Sequence, residues 1–173
     1  MRSKIFLVTI VFGILLLSCS KYYNKYYGLN EETKKEVNDF FVSADINCVF
    51  KNGFPRKPVK DSLFLITLFV GSDEPRYDSA YKVFSKIHID TLLIEMPAVK
   101  RIIKITPEVV ILHDYGVHFG FGHHIITEKV NKITLKFTVV YDAKDGEGFN
   151  KNIVMELTKQ TGYNRDWAPY LLD

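Results

Sequence analysis

The chain has 173 residues, of which 47% are hydrophobic and 14% aromatic, and this composition excludes an intrinsically disordered protein. The formal net charge of only +3 at pH 7 excludes the strongly basic surface typical of nucleic-acid-binding proteins, so we expect no nucleic-acid partner. The length suits one domain with a sizeable hydrophobic core.

The first 18 residues have the three parts of a secretory signal peptide. The basic stretch MRSK precedes a mostly apolar run of 13 residues from Ile5 to Leu17, and the small residue Ser18 follows it. As a helix, such a run spans about 20 Å, whereas the hydrocarbon core of a bilayer is about 30 Å thick. The segment is therefore predicted to be a cleaved leader, not a transmembrane helix.

The end of the leader, LLSC at residues 16–19, resembles the lipobox of bacterial lipoproteins. This resemblance covers residues 1–19 only. It implies cleavage before Cys19, lipidation of Cys19, and attachment of the chain to the membrane of a bacterial cell envelope by two or more acyl chains, which anchor stably. Because Ser20 replaces the Asp that favours inner-membrane retention in enteric bacteria, the resemblance implies the outer membrane. The alternative is an ordinary signal peptide with an incidental cysteine.

Three parts of the chain are thus predicted: a leader (1–18), a lipid anchor and tether (19–29), and a single β-rich domain (30–173). The tether repeats KYY, a pattern suited to an anionic membrane surface, although its tyrosines could instead dock on the domain. Cleavage removes Arg2 and Lys4 and leaves 21 basic and 20 acidic side chains. The mature chain is therefore predicted to be almost neutral.

Two helices are predicted in the first half of the domain. In LNEETKKEVNDFFV, residues 29–42, Asn30 can cap a helix, and three apolar residues lie on one helical face: Val37, Phe40 and Phe41. In RYDSAYKVFSKI, residues 76–87, four apolar side chains recur at helical spacing: Tyr77, Tyr81, Phe84 and Ile87.

Strand patterns dominate the rest of the domain. The run SLFLITLFV, residues 62–70, is typical of a strand buried on both faces, and KITLKFTVVY, residues 132–141, alternates between apolar and polar residues. Six or seven later strands with frequent turn signals predict a mainly β fold, an antiparallel β-sandwich or open barrel with one or two flanking helices. The alternative is an α+β fold with one sheet and helices on one face.

Four of the five histidines lie in EVVILHDYGVHFGFGHH, residues 108–124. If this segment is a hairpin turning at Tyr115-Gly116, His113 faces His118, with Cβ atoms about 5 Å apart. The core face then carries Val110, Leu112, Phe119 and Phe121. Two neutral imidazoles could bind Zn²⁺ or Cu²⁺, but a stable zinc site needs three or four ligands. The alternative is a pair of surface imidazoles without a metal.

Glycines alternate with phenylalanines in the same segment. Because glycine weakens a strand, Gly120 and Gly122 predict a bend or a close approach of another group over their face. That group could belong to the protein or to a ligand, and Gly120, Gly122 and His124 are therefore a possible ligand-binding face.

Motifs of nucleotide binding, nucleophilic catalysis and zinc proteases are absent from the sequence. We therefore expect a membrane-anchored envelope module that binds another envelope protein or a glycan, with no catalytic residue and no cofactor. The alternatives are a metal-assisted envelope hydrolase that uses zinc at His113 and His118, and a structural subunit of an envelope complex.

Overall fold

The computed structural model of the chain describes residues 22–29, 34–37, 40–49, 59–60, 62–72, 83–142 and 148–164. Within them the chain forms the following strands: β1 (Tyr22–Leu29), β2 (Lys34–Val37), β3 (Phe40–Cys48), β4 (Leu63–Gly71), β5 (Ile87–His88), β6 (Leu92–Met96), β7 (Arg101–Ile105), β8 (Val109–His113), β9 (Gly116–Ile125), β10 (Lys132–Tyr141) and β11 (Phe149–Asn164). A short 3-10 helix, Pro97–Val99, connects β6 to β7.

All of these strands pair antiparallel, in the order β7-β6-β10-β11-β1-β3-β4-β9-β8, with β2 beside β3 and β5 beside β10. β1 pairs with β11 through eight residue pairs but with β3 through only two. The hydrogen-bonded path is continuous, and we divide it at the short β1–β3 pairing into the two layers of an open β-sandwich, β7-β6-β10-β11-β1 and β3-β4-β9-β8. The predicted mainly β, antiparallel fold is confirmed.

Both layers contribute their inner faces to one hydrophobic core. The predicted alternation in β10 is confirmed, because Ile133, Leu135, Phe137 and Val139 are buried, whereas the intervening residues are only partly covered. β4 supplies the matching set from the second layer: Phe64, Ile66, Leu68 and Val70. Removal of these apolar side chains from water is the main source of stability in such a sandwich.

The helix predicted over residues 29–42 is wrong, because this part of the chain contributes β2 and the start of β3. The two strands pair with Val37 opposite Phe40, and both side chains are buried. From Phe40 onward, burial follows a period of two through Val42. Pairing of β3 with β4 along eight residue pairs overrides the local helical preference of the acidic and basic residues in this segment.

The second predicted helix, residues 76–87, lies mostly outside the described residues. Its described part is helical at Val83 and Phe84 and becomes strand β5 at Ile87. No helix in the described part of the chain has the length and apolar character needed to cross a bilayer.

Two further predictions are corrected by the strand positions. Residues 22–29, which the sequence assigned to the tether, form β1 and pair with β11 inside the sheet. β4 is buried on its inner face only, since Leu65 on its outer face is exposed. The predicted leader and Cys19 lie outside the described residues.

Candidate functional site

A groove of about 520 Å³ lies on the outer face of the second layer, over β4, β9 and β8. Its floor is largely apolar and is formed by Leu65, Val109 and Ile111, with Gly120 between them. The remaining lining residues are either polar or glycine, and they lie at the two ends of the groove and along β4: Thr67, Glu108, His113, His118, Gly122 and His123. The groove therefore combines an aliphatic floor with polar groups at both ends.

The hairpin of β8 and β9 turns one residue earlier than expected, which shifts the pairing register by two residues. Its register pairs His113 with Gly116, so the loop is Asp114-Tyr115, and the predicted pairing of His113 with His118 is wrong. A shift by two residues keeps every side chain on its predicted face. The imidazoles of His113 and His118 therefore still meet on the outer face, as diagonal neighbours with ring centroids 4.9 Å apart.

The phenyl ring of Phe69 explains this register. It lies on the outer face of β4 above Gly71 and Gly116, which pair with each other. A Cβ atom would lie 2.6 Å from Cζ of Phe69 at Gly71 and 2.5 Å at Gly116, so both positions require glycine. The backbone N–H of Ser72 also donates a hydrogen bond of 2.9 Å to the carbonyl oxygen of Tyr115 in the loop. These contacts fix the loop against the end of β4.

Four rings cross the outer face beside the groove. The ring centroids of Phe41 and Phe69 are 5.6 Å apart, those of Phe69 and His118 4.5 Å, and His113 completes the row. Tilted and edge-on ring pairs of this kind are favourable beyond their buried area. The row packs the imidazole of His118 between Phe69 and His113 at the end of the groove.

A β-bulge at Gly122 changes which histidine faces the groove. The β4–β9 register moves from Thr67–Gly120 to Leu65–His123, and Gly122 adopts a φ of +73°, which favours glycine. The extra residue reverses the alternation, so His123 lines the groove beside Leu65.

His124 consequently leaves the predicted ligand-binding face. It pairs with the buried Phe64 and donates a hydrogen bond of 2.7 Å from Nε2 to the carbonyl oxygen of Phe121. Gly120 and Gly122 both line the groove. In the sequence, the only sign of this bulge is Gly122 itself, because glycine readily adopts a positive φ.

The two glycines have different neighbours. The carboxylate of Glu108 lies above Gly122, where a Cβ atom would be 2.5 Å from each of its oxygens. A Cβ atom added at Gly120 would lie 3.7 Å from its nearest heavy atom, Cβ of Val109, which is an ordinary van der Waals contact. The close approach predicted for this face therefore comes from Glu108 at one glycine, whereas the groove is open at the other.

Only part of the predicted core face of β8 is covered. Phe119 and Phe121 are buried and Leu112 is partly buried against the core, but Val110 is 55% exposed. β8 is an edge strand, paired with β9 alone within the described residues. The sequence pattern identified the face of Val110 but not its position at the margin of the sandwich.

The electrostatics of the histidine pair favour neutral imidazole at His118. Partial burial lowers its pKa below the ordinary value of 6.5, and neighbouring His113 lowers it further, while the carboxylate of Asp45 acts in the opposite direction. Neutral imidazole is the metal-binding form. Among the described residues, however, no cluster of three or more His, Cys, Asp or Glu side chains could hold a metal ion.

A second concave surface of about 530 Å³ lies on the first layer, over β6, β10 and β11. Three of its polar side chains already form hydrogen bonds within the protein: Lys136 donates to Glu95 at 2.7 Å, and Thr138 donates to Asn152 at 2.7 Å. These groups are already satisfied within the protein. The groove on the second layer has the larger apolar part and is the better candidate for binding.

The contacts of the glycines predict unequal effects of Gly116→Ala and Gly120→Ala. Gly116→Ala should lower the free energy of unfolding by about 2 kcal/mol or more, because its methyl group would overlap the Phe69 ring and the Val70 carbonyl oxygen. Gly120→Ala should change it by only about 0.5 kcal/mol. Urea denaturation of both variants measures the difference, and equal losses would contradict the packing of Phe69.

The lowered pKa of His118 predicts a stability loss in acid. The unfolded chain binds a proton at His118 more readily than the folded chain does. The stabilising contribution of neutral His118 is therefore complete above the unfolded pKa of about 6.5, and it declines as the pH falls through that value toward the lower folded pKa. His118→Gln should flatten this part of the stability profile. Thermal unfolding between about pH 5 and 7.5 measures it.

His123→Gln is the matched control for this measurement, because His123 is an exposed imidazole on the same strand. A flattening as large in His123→Gln as in His118→Gln would assign the pH dependence to a source other than the His113–His118 pair.

In comparisons with known proteins, no family model, no curated protein and no solved structure matches the chain. The lipobox-like motif at residues 16–19 and the groove are therefore the two features on which a function can be proposed.

Proposed function

We propose that this protein is a lipid-anchored interaction module of a bacterial cell envelope, which binds a partner protein through the groove on its second layer. The exposed aliphatic floor of the groove carries the proposal, because Val109 and Ile111 are 51% and 50% exposed beside Leu65. Contiguous apolar surface rimmed by polar groups is typical of interaction sites.

The aliphatic floor favours a protein partner over a glycan. Apolar side chains of a partner would replace water over Val109 and Ile111, whereas sugar hydroxyls over the same surface would lose hydrogen bonds. The other partner expected from the sequence is a glycan, but none of the described residues that line the groove carries a phenyl, phenol or indole ring.

The position of β1 supports anchoring close to the membrane. Only residues 20 and 21 separate Cys19 from the first described strand residue, Tyr22, so the connection spans at most about 11 Å. A lipidated Cys19 would hold the sandwich next to the lipid surface. The proposed membrane is the outer membrane, because the motif at residues 16–20 ends in Ser20 and not in the Asp that favours inner-membrane retention.

A metal-assisted hydrolase is the alternative function, and the contact between His113 and His118 is the observation that favours it. The pair offers two ligands where zinc needs at least three from the protein. Stoichiometric zinc in the purified chain, lost in a variant with alanine at both positions, would favour the hydrolase over the interaction module.

Lipid anchoring predicts that Cys19→Ala abolishes acylation. The variant should lose the acyl mass, retain its leader and fail to incorporate labelled palmitate, because the attachment thiol is absent. Mass spectrometry and fatty-acid labelling in cells measure these changes. An unmodified Cys19 in the wild-type chain would overturn the envelope part of the proposal, and Cys48→Ala, which removes the buried cysteine, is the matched control.

Binding through the groove predicts position-specific crosslinking in cells. A photo-crosslinking residue at Ile111 should capture one reproducible partner, whereas the same residue at Val154, which is also exposed but lies in the first layer, should not. Immunoblotting and mass spectrometry of the adducts measure the result. Capture of the same partner at both positions, or at neither, would contradict the assignment of the groove.

A further inference from the structure

The two ends of the strand path differ in how their exposed edges are protected. β7 carries the exposed charged residues Arg101 and Lys104, and charged side chains at sheet edges discourage pairing with other chains. β8 has no charged residue from Val109 to Leu112, and its first three residues are exposed aliphatics. β8 is therefore the unprotected edge of the described sheet.

β8 also exposes apolar groups on both of its faces. Val109 and Ile111 point to the outer face and line the groove, while Val110 lies on the inner face, beyond the cover of the opposite layer. A strand placed beside β8 would bury alternate side chains on both faces and would bond to the outer backbone groups of β8, which no described strand pairs with. A ligand that lay only in the groove would leave Val110 uncovered.

Carboxylates stand at both ends of this edge. Glu108 precedes β8, with its carboxylate above Gly122 in the groove, and the exposed Asp114 follows it in the loop. Within the described part of the chain, neither carboxylate forms an ion pair. A partner segment with a basic residue at each end of an apolar run would complement this arrangement.

From these three observations we propose that β8 is the docking edge for an extended segment of a partner protein, which adds to the sheet as an antiparallel strand. The segment has four successive aliphatic residues flanked by Lys or Arg, which reach Glu108 and Asp114. The antiparallel direction follows every pairing in this sheet. The proposal rests on the proposed interaction function and names the class of partner and its mode of binding.

The test uses the full processed chain in detergent and a labelled, end-capped peptide containing Lys-Val-Ile-Val-Ile-Lys. The peptide should bind in fluorescence anisotropy below about 1 mM. N-methylation of alternate backbone amides, which leaves the side chains unchanged, should weaken binding by about tenfold or more because it removes the hydrogen bonds to β8.

Protein variants locate the binding edge. Ile111→Lys gives β8 the kind of charge that protects β7, and it should weaken binding by about tenfold or more. Ile102→Lys is the matched control, since Ile102 is 66% exposed on the opposite edge, and it should leave binding unchanged. Glu108→Lys should weaken binding about two- to fivefold, and a peptide with Glu in place of its final Lys should recover that loss.

Four outcomes would overturn the proposal: no binding up to about 1 mM, equal binding of the N-methylated peptide, an equal loss in Ile102→Lys, or self-association of the chain abolished by Ile111→Lys. The last would make a second copy the occupant of β8. Each can occur with Cys19 lipidated and with specific crosslinking at Ile111, so failure of strand addition is distinguishable from failure of the proposed function.

Discussion

Phe69 packs its ring above Gly71 and Gly116, at the point where β4, β9 and the loop between β8 and β9 meet. No side chain larger than hydrogen fits at either glycine while the ring is there. The contact therefore fixes the residue at which β9 begins, and through it the register of β8. The diagonal contact between His113 and His118 and the course of the β8 edge both depend on this packing.

The bulge at Gly122 divides the outer face of β9 into two parts. Before it, His118 and Gly120 face outward, and after it His123 takes the outward position. One backbone irregularity thus places imidazoles at both ends of an apolar floor. The same floor continues to the edge of the sheet, so the groove and the free edge form one surface. This continuity connects a binding groove to a mode of binding that uses backbone hydrogen bonds.

The core could be read from the sequence wherever an apolar pattern of period two ran through a whole strand. β10 is the clearest case, since the alternation from Ile133 to Val139 is followed by the observed burial. The pattern was ambiguous at residues 29–42, where Val37 and Phe40 suit a helix face as well as facing positions of a hairpin. Partners distant in sequence decided that case, because β3 pairs with β4 along its length.

The sequence by itself determined the strand-rich fold class, the alternating faces of β10 and the lipobox-like motif at Cys19, since these depend on local patterns of hydrophobicity, charge and residue size. Only the tertiary structure decided the register of the β8 hairpin, the outward position of His123 and the exposure of Val110. Register, bulges and edge positions depend on which strands meet, and a strand's own residues specify its periodicity but not its neighbours.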